Sequence, residues 1–298
     1  MKLLIVTQTV DTNNPILGFF VRWIEEFAKH AERIEVVCLR KGRHTLPANV
    51  RVHSLGKEQG VSRVRYIFNF YTYLWRFRHD YDSVFVHMNP EYVILGGLFW
   101  RLCGKRIALW YTHKSVDDKL RIATFLSNII FTASKESFRL KSSKVRVMGH
   151  GIDTKFFSPD ESVTRGNWVL SVGRLMQSKR HDIAIRAAVR DNRELRVVGE
   201  GPERKNLESL THELGARVQF FGSLAQAQLR DEYRKAAYLV HTSETGSLDK
   251  VVLEALACGL PIKTNDPALK PLEAEGPRYV RDNHSLEKLI PAIIKALS

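Results

Sequence analysis

Four stretches in the second half of this 298-residue chain put glycines and charged side chains where a polyanion could be held. Residues 169–179, VLSVGRLMQSK, leave an apolar run through Gly173 and Arg174 and reach Lys179 as a helical pattern begins. Glycine lets the backbone approach a ligand closely, and a helix N-terminus offers free N–H groups and a positive dipole end. Two cations beside such a terminus suit a diphosphate, although the same residues also read as a solvated loop. Residues 197–202, VVGEGP, repeat the arrangement with Gly199 and Gly201 at a strand-to-helix turn and Pro202 at an expected helix start. Residues 219–224 end a strand at Gly222, Ser223 and Leu224, where the backbone could meet a flat base. Residues 242–261 form a polar loop containing Glu244, Gly246, Ser247, Leu248, Asp249 and Lys250, then a short helix that carries Glu254 among Val251, Val252, Leu253, Ala255 and Leu256. A carboxylate on an apolar helix is costly unless paired. Glu254 therefore reads either as half of a structural ion pair or as a ligand for two sugar hydroxyls.

The elements that position these loops follow from periodicity. Short apolar runs at 3–6, 34–39, 82–87, 107–111 and 129–133 read as buried strands separated by helical stretches, the first of them 16–30. The alternation restarts with strands at 168–172, 195–198, 218–221, 238–241 and 261–263 and helices at 180–190 and 203–214. Alternating β and α segments predict parallel sheets covered on both faces. In such sheets ligands bind beyond the carboxyl ends of the strands, where the four stretches lie. Two Rossmann-like domains are expected, 1–150 and 167–298, joined by a linker at 151–166 within a segment rich in Gly, Pro, Asp and Ser.

Composition excludes several classes. Hydrophobic content of 44% and charged content of 26% are ordinary for globular chains. The longest apolar run, 92–100, falls well short of the ~20 residues a membrane span needs, and the N-terminal apolar run is too short for a signal-peptide core. Cys38, Cys103 and Cys258 are odd in number and lack CxxC spacing, so neither a disulfide framework nor a zinc site is indicated and a reduced, cytoplasmic setting is expected. The formal charge is +14, and +11 of it lies in residues 1–160. That excess points to a polyanionic surface. No nucleic-acid reader motif accompanies it, so nucleic acid is not the expected partner.

In order and spacing, GHGIDTKFFSP (149–159), SVGRLMQSKR, VVGEGP and VVLEALACGLPI resemble glycosyltransferase family 4. That resemblance implies an α/β protein of the GT-B fold, two Rossmann-like domains with parallel sheets facing across a cleft, acting as a retaining enzyme on a nucleotide-sugar donor. It implies that Arg174 and Lys179 grip the donor diphosphate in place of a metal, so no metal or other cofactor is expected. Glu254 would bind the ribose hydroxyls and residues 222–224 the base. Gly173, Gly199, Gly201 and the loop residues from Glu244 to Val251 would complete the donor site. The family's Glu-x₇-Glu pattern is broken here, because Gly246 stands eight residues before Glu254. Either Glu244 reaches the sugar, or Asp249 and Lys250 take over its contacts.

In the first half, Gly18 stands where the family has a glycine-rich loop, and His113 resembles the histidine that faces the donor sugar. Asn89, Glu91 and Lys114 are further loop candidates, Ser134 resembles a serine near the hinge, and Asp117 with Asp118 reads as solvated. The resemblance implies same-face attack without a covalent nucleophile, and an acceptor that is a sugar, a lipid-linked species or a cell-envelope glycan. Other GT-B chemistries, epimerase-like or phosphorylase, are the competing reading. Finally, residues 63–79 carry two apolar stripes on a helical wheel. Val64, Ile67, Phe68, Tyr71, Leu74 and Trp75 are expected to pack on the sheet. Tyr66, Phe70, Tyr73 and Phe77, flanked by arginines, are expected to face an anionic membrane surface, the alternative being that they pack against a neighbouring helix or a second subunit.

Overall fold

The computed structural model describes residues 1–244 and 248–298. The chain forms two compact units, Met1–Gly151 with Leu286–Ser298, and Ile152–Ser285.

The first unit runs β1 (Lys2–Val10), α1 (Phe19–His30), β2 (Arg33–Lys41), β3 (Val50–Ser54), α2 (Arg63–Arg76), β4 (Ser83–His87), α3 (Pro90–Leu102), β5 (Arg106–Trp110), α4 (Asp118–Leu126), β6 (Ile129–Thr132) and β7 (Val145–Val147). Its seven strands are all parallel in the order β3-β2-β1-β4-β5-β6-β7. The apolar runs that made the strands legible are buried on both faces, as a parallel sheet requires: Leu3, Ile5 and Phe85 point to one side, Leu4, Val6, Val84 and Val86 to the other. The first set packs under α1. The second packs under α2, α3 and α4.

In the second unit the order is β8 (Val169–Val172), α5 (His181–Arg190), β9 (Leu195–Val198), α6 (Arg204–Glu213), β10 (Val218–Gly222), α7 (Gln226–Lys235), β11 (Tyr238–His241), α8 (Lys250–Ala257), β12 (Ile262–Thr264) and α9 (Pro277–Asn283). Its parallel sheet is ordered β10-β9-β8-β11-β12. The change of direction on either side of β8 makes a switch point there, between the loops leaving β8 and β11.

Three departures from the sequence reading have physical causes. The last helix, α10 (Leu286–Leu297), was expected with residues 167–298 but packs in the first unit, where Leu289, Ile290 and Ile293 join the core beside α1. Its apolar stripe alone does not specify which sheet it covers. Residues 152–166 belong to the second unit rather than to a free linker. Arg165 fastens them by donating to the carbonyls of Tyr233, Arg234 and Ala236 at the end of α7 and to those of Cys258 and Gly259 after α8.

The two stripes of α2 are also exchanged, apart from Leu74, which packs inward as expected. Phe70, Leu74 and Phe77 are buried, with Tyr66 and Tyr73 packed against them, whereas Val64, Ile67, Phe68, Tyr71 and Trp75 are exposed. The polar groups on the inward side decide it. Tyr73 donates its hydroxyl to Ser54 O and Asn69 its amide to Leu55 O, both at the end of β3, a strand too polar to stand out in the sequence. A side chain with an apolar body and a satisfied polar tip can be buried, so the aromatic stripe becomes the inner one.

Candidate functional site

In the second unit the strand ends are held by backbone. Gly173 N–H donates to Val198 O, Gly199 N–H to Gly222 O and Leu175 N–H to Glu200 O, which continues the ladder past the last strand residues. Gly199 adopts φ +142°, and a β-carbon there would land on the Gly173 carbonyl. Only glycine fits so close a crossing of two loops. Gly201 lies against the Leu175 backbone, and Gly222 sits with φ +67° beside the Glu200 carboxylate. These four glycines thus form one platform at the β8–β9–β10 ends. Ser223 is exposed and Leu224 half-buried in the short connection to α7.

Arg174 projects from this platform into solvent, and among the described residues its guanidinium has no carboxylate partner. Lys179 is different. Its Nζ lies 2.5 Å from Asp249 Oδ2 and 3.3 Å from Ser243 Oγ. Its stem passes Gly173, where an added β-carbon would lie 3.9 Å from Lys179 Cδ. Asp249 occupies the N-cap position of α8 and also meets His241 Nε2 at 3.0 Å, while His241 Nδ1 lies 3.1 Å from Thr264 Oγ1. Burial would raise the Asp249 carboxyl, but the His241 hydrogen bond and the Lys179 charge overcome it and hold it at about 2.

Next to Lys179, Arg180 has left-handed backbone (φ 49°) and heads α5. Its guanidinium grips both oxygens of Asp182 and reaches Glu244. These partners raise its pKa further above the usual arginine value. Thr242 Oγ1 donates to Lys179 O and Glu244 N–H to Ser178 O, so the loop after β11 is fastened to the loop after β8. His181, buried in the first turn of α5, shares a 2.9 Å hydrogen bond between Nδ1 and Ser171 Oγ. Burial pushes its pKa down to about 4, so it is a neutral imidazole at pH 7. Beside it, a groove of about 580 Å³ opens between α5 and α6, lined by Ser178, Arg180, Asp182, Asn206 and Glu244 among others.

Glu254 lies in the body of α8, 4% exposed, and accepts a 3.3 Å hydrogen bond from Tyr233 on α7. Burial and this carboxylate raise the Tyr233 phenol well above its ordinary value. Leu248 and Val251 pack partly against the core of the unit, and Lys250 opens α8. Gly246 and Ser247 lie outside the described residues. Arg174, Lys179, Glu244 and Asp249 are therefore gathered at the switch point with the glycine platform.

Arg180 and His241 escaped the sequence reading. Arg180 carries no signal of its own beside Lys179 in the string SKR. His241, which ends the apolar strand YLVH, carried the same strand-end signal that singled out His113.

The first unit holds the remaining candidates at its own strand ends. Gly18 precedes α1 with its N–H on Asn14 O, and a β-carbon there would crowd the Asn14 and Thr12 carbonyls. His113 is exposed in the loop after β5, its ring 5.7 Å from that of Tyr111. Asn89 accepts from Gln8 Nε2, Glu91 pairs with Lys119 at 2.8 Å, and Ser134 bonds Ser137. Asp117 caps α4 by accepting from Leu120 N–H, a structural use. Among the described residues no three His, Cys, Asp or Glu side chains gather as metal ligands.

Residues 153–298 match the family model of the group 1 glycosyl transferases. The D-inositol 3-phosphate glycosyltransferase of Mycobacterium leprae is 33% identical over 141 residues, 42% of this chain and 33% of that protein. A GDP-mannose-dependent alpha-mannosyltransferase of Mycobacterium tuberculosis is 31% identical over 174 residues, 54% of this chain and 42% of that one. The matched region thus spans a third to two fifths of these relatives' lengths. Over the whole chain, the crystal structure of HepE from Anabaena in complex with UDP superposes with a TM-score of 0.67 at 18% identity, covering 99% of this chain and 89% of that one. The fold is GT-B, two α/β domains each built on a parallel sheet.

Proposed function

We propose that the protein is a glycosyltransferase that moves a sugar from a nucleotide diphosphate donor to an acceptor hydroxyl. The observation that carries this reading is Arg174, a cation without a carboxylate partner among the described residues, projecting from a glycine platform beside Lys179. The family match over residues 153–298 and the UDP bound by a protein of the same fold support it.

In the proposed reaction the bond between the anomeric carbon and the β-phosphate oxygen breaks, and negative charge grows on the diphosphate. Preorganised cations oppose that charge where it forms, so neither a metal nor a cofactor is required. The acceptor oxygen bonds to the anomeric carbon on the face the diphosphate leaves, and its proton passes to a phosphate oxygen, which retains the configuration. Glu254 is assigned to the ribose hydroxyls, residues 222–224 to the base, and Gly18 and His113 to the sugar side. The role of the absent first glutamate falls to Glu244, which Arg180 holds at the loop after β11, or to Asp249 with Lys250 at the head of α8. The acceptor is proposed to be lipid-linked or a cell-envelope glycan presented at an anionic membrane surface.

A panel of UDP-, GDP- and ADP-sugars tests the reading, with nucleotide release measured in the presence of a chelator. One donor class should be turned over with the anomeric configuration kept. Failure of every donor to bind or react overturns the proposal. An absolute need for Mg²⁺ or Mn²⁺ overturns the metal-independent mechanism.

A further inference from the structure

Helices α2, α3 and α4 lie side by side over one face of the seven-stranded sheet. Tyr71 on α2 donates to Leu95 O on α3, the rings of Trp75 and Phe99 stand 6.4 Å apart, and α3 meets α4 where Arg101 lies over the Phe125 ring. On the outer side of this layer Val64, Phe68, Trp75, Leu98, Leu102 and Phe125 are all more than 60% exposed. Singly exposed apolar residues are ordinary, but a run of them across three adjoining helices marks a surface that binds something.

The charge around these residues identifies what it binds. Segments 63–79, 98–106 and 119–128 hold nine Lys and Arg and no Asp or Glu. Lys105 and Lys119 are engaged, with Tyr81 O and Glu91, and Arg121 has Asp118 at 3.9 Å. The other six are arginines, and among the described residues none of them pairs with a carboxylate. Several lie against the rings they flank. Arg78 sits 4.2 Å from the Trp75 ring centre and Arg65 5.3 Å from that of Phe68. The core of a protein–protein interface is depleted of charge. Rings interleaved with arginines instead match the boundary layer of a bilayer, with apolar groups entering the acyl region and guanidinium groups among anionic headgroups.

We infer that the outer face of α2, α3 and α4 docks this protein reversibly onto an anionic lipid surface. The contact uses the stripe of α2 opposite to the one its sequence pattern favoured. It rests on the proposed membrane setting of the acceptor, but it is measured without donor or acceptor, so its failure would leave sugar transfer untouched.

The full-length chain is co-sedimented with vesicles of phosphatidylcholine alone and with vesicles containing about one third phosphatidylglycerol, at low and high salt. Binding is expected only with the anionic lipid, weakened by salt, and accompanied by a blue shift of tryptophan fluorescence that Trp75→Phe removes. Joint replacement of Val64, Phe68 and Phe125 by Ser, or of Arg63, Arg65 and Arg76 by Gln, should each lower vesicle affinity at least about tenfold, with melting temperature unchanged because all six are exposed. Equal binding to neutral vesicles overturns the inference, as does absence of binding or binding indifferent to both sets of substitutions. A dimer in sedimentation equilibrium that the apolar substitutions dissolve would assign the face to a second copy of the chain and equally overturn it.

Discussion

Lys179 and Asp249 form a 2.5 Å ion pair that joins the loop after β8 to the N-terminus of α8, with His241 bonding the same carboxylate oxygen. The pair is one-fifth exposed, so it is not a solvated surface contact. Because the Asp249 carboxyl is lowered from 3.8 to about 2, it stabilises the fold above pH 4 and loses that contribution as pH falls through 2. A depression of that size corresponds to about 2 kcal/mol. Asp249→Asn should therefore lower stability at neutral pH by roughly this amount or more, since Lys179 is left without its counter-charge. Urea unfolding of both proteins between pH 2 and 5 should show the difference shrinking toward the acid end. A constant difference across that range would contradict the account.

The same pair separates the two cations. Among the described residues Arg174 has no carboxylate partner to lose, so Arg174→Ala should reduce turnover by about 10²–10³-fold with an unchanged melting temperature, if the guanidinium acts on charge developing at the diphosphate. Lys179→Ala removes a cation from the site and also leaves Asp249 unpaired, so turnover and melting temperature should fall together. Nucleotide-release rates and thermal scans of the two variants distinguish these patterns. Wild-type turnover in a folded double variant would end the assignment.

His181 gives the second unit an acid-sensitive point. Its folded pKa, about 4, lies below the ordinary 6.5, so the unfolded chain takes up the proton first as pH falls. The sign is unambiguous: stability is complete above pH 6.5 and is lost progressively down to pH 4, by about 3 kcal/mol. His284, also lowered to about 4 by burial, acts in the same direction. His181→Asn should cost about 1 kcal/mol at pH 7, through the Ser171 hydrogen bond, yet narrow the gap to wild type by pH 4.5. Chemical denaturation at three pH values across this window measures it.

How much of this was legible in the sequence depended on whether a pattern had one reading. Strands β9 and β11 run over 195–198 and 238–241, as their apolar runs between turn residues predict. The glycines at 173, 199 and 222 declared their strand ends because their spacing repeats with the βα units. Helix α2 failed because both stripes are apolar, and the choice between them belongs to the end of β3, where the carbonyls of Ser54 and of the following Leu55 accept from Tyr73 and Asn69. Strand β3 was itself missed because VRVHS is partly exposed and polar. The partners of Lys179 were invisible for another reason. Asp249 and Ser243 are 70 and 64 positions away along the chain, and only the parallel sheet brings β11 beside β8.

Glu254 poses the sharpest choice between structure and ligand. It is buried on an apolar helix and holds Tyr233 through one carboxylate oxygen. In the proposed function its charge also serves the ribose hydroxyls, and the two duties separate by substitution. Glu254→Gln keeps an acceptor for the phenol but removes the charge, so donor affinity should fall by more than about tenfold, as the loss of a hydrogen bond to a charged group implies, while the melting temperature stays close to wild type. Tyr233→Phe keeps the carboxylate but leaves one of its buried oxygens without that donor, which should cost about 1–2 kcal/mol of stability with little change in donor affinity. Isothermal titration with the nucleotide diphosphate and a thermal scan of each variant read both effects. The reverse outcome, Glu254→Gln melting well below wild type with donor affinity retained, would make Glu254 a structural carboxylate and leave the ribose hydroxyls to other groups.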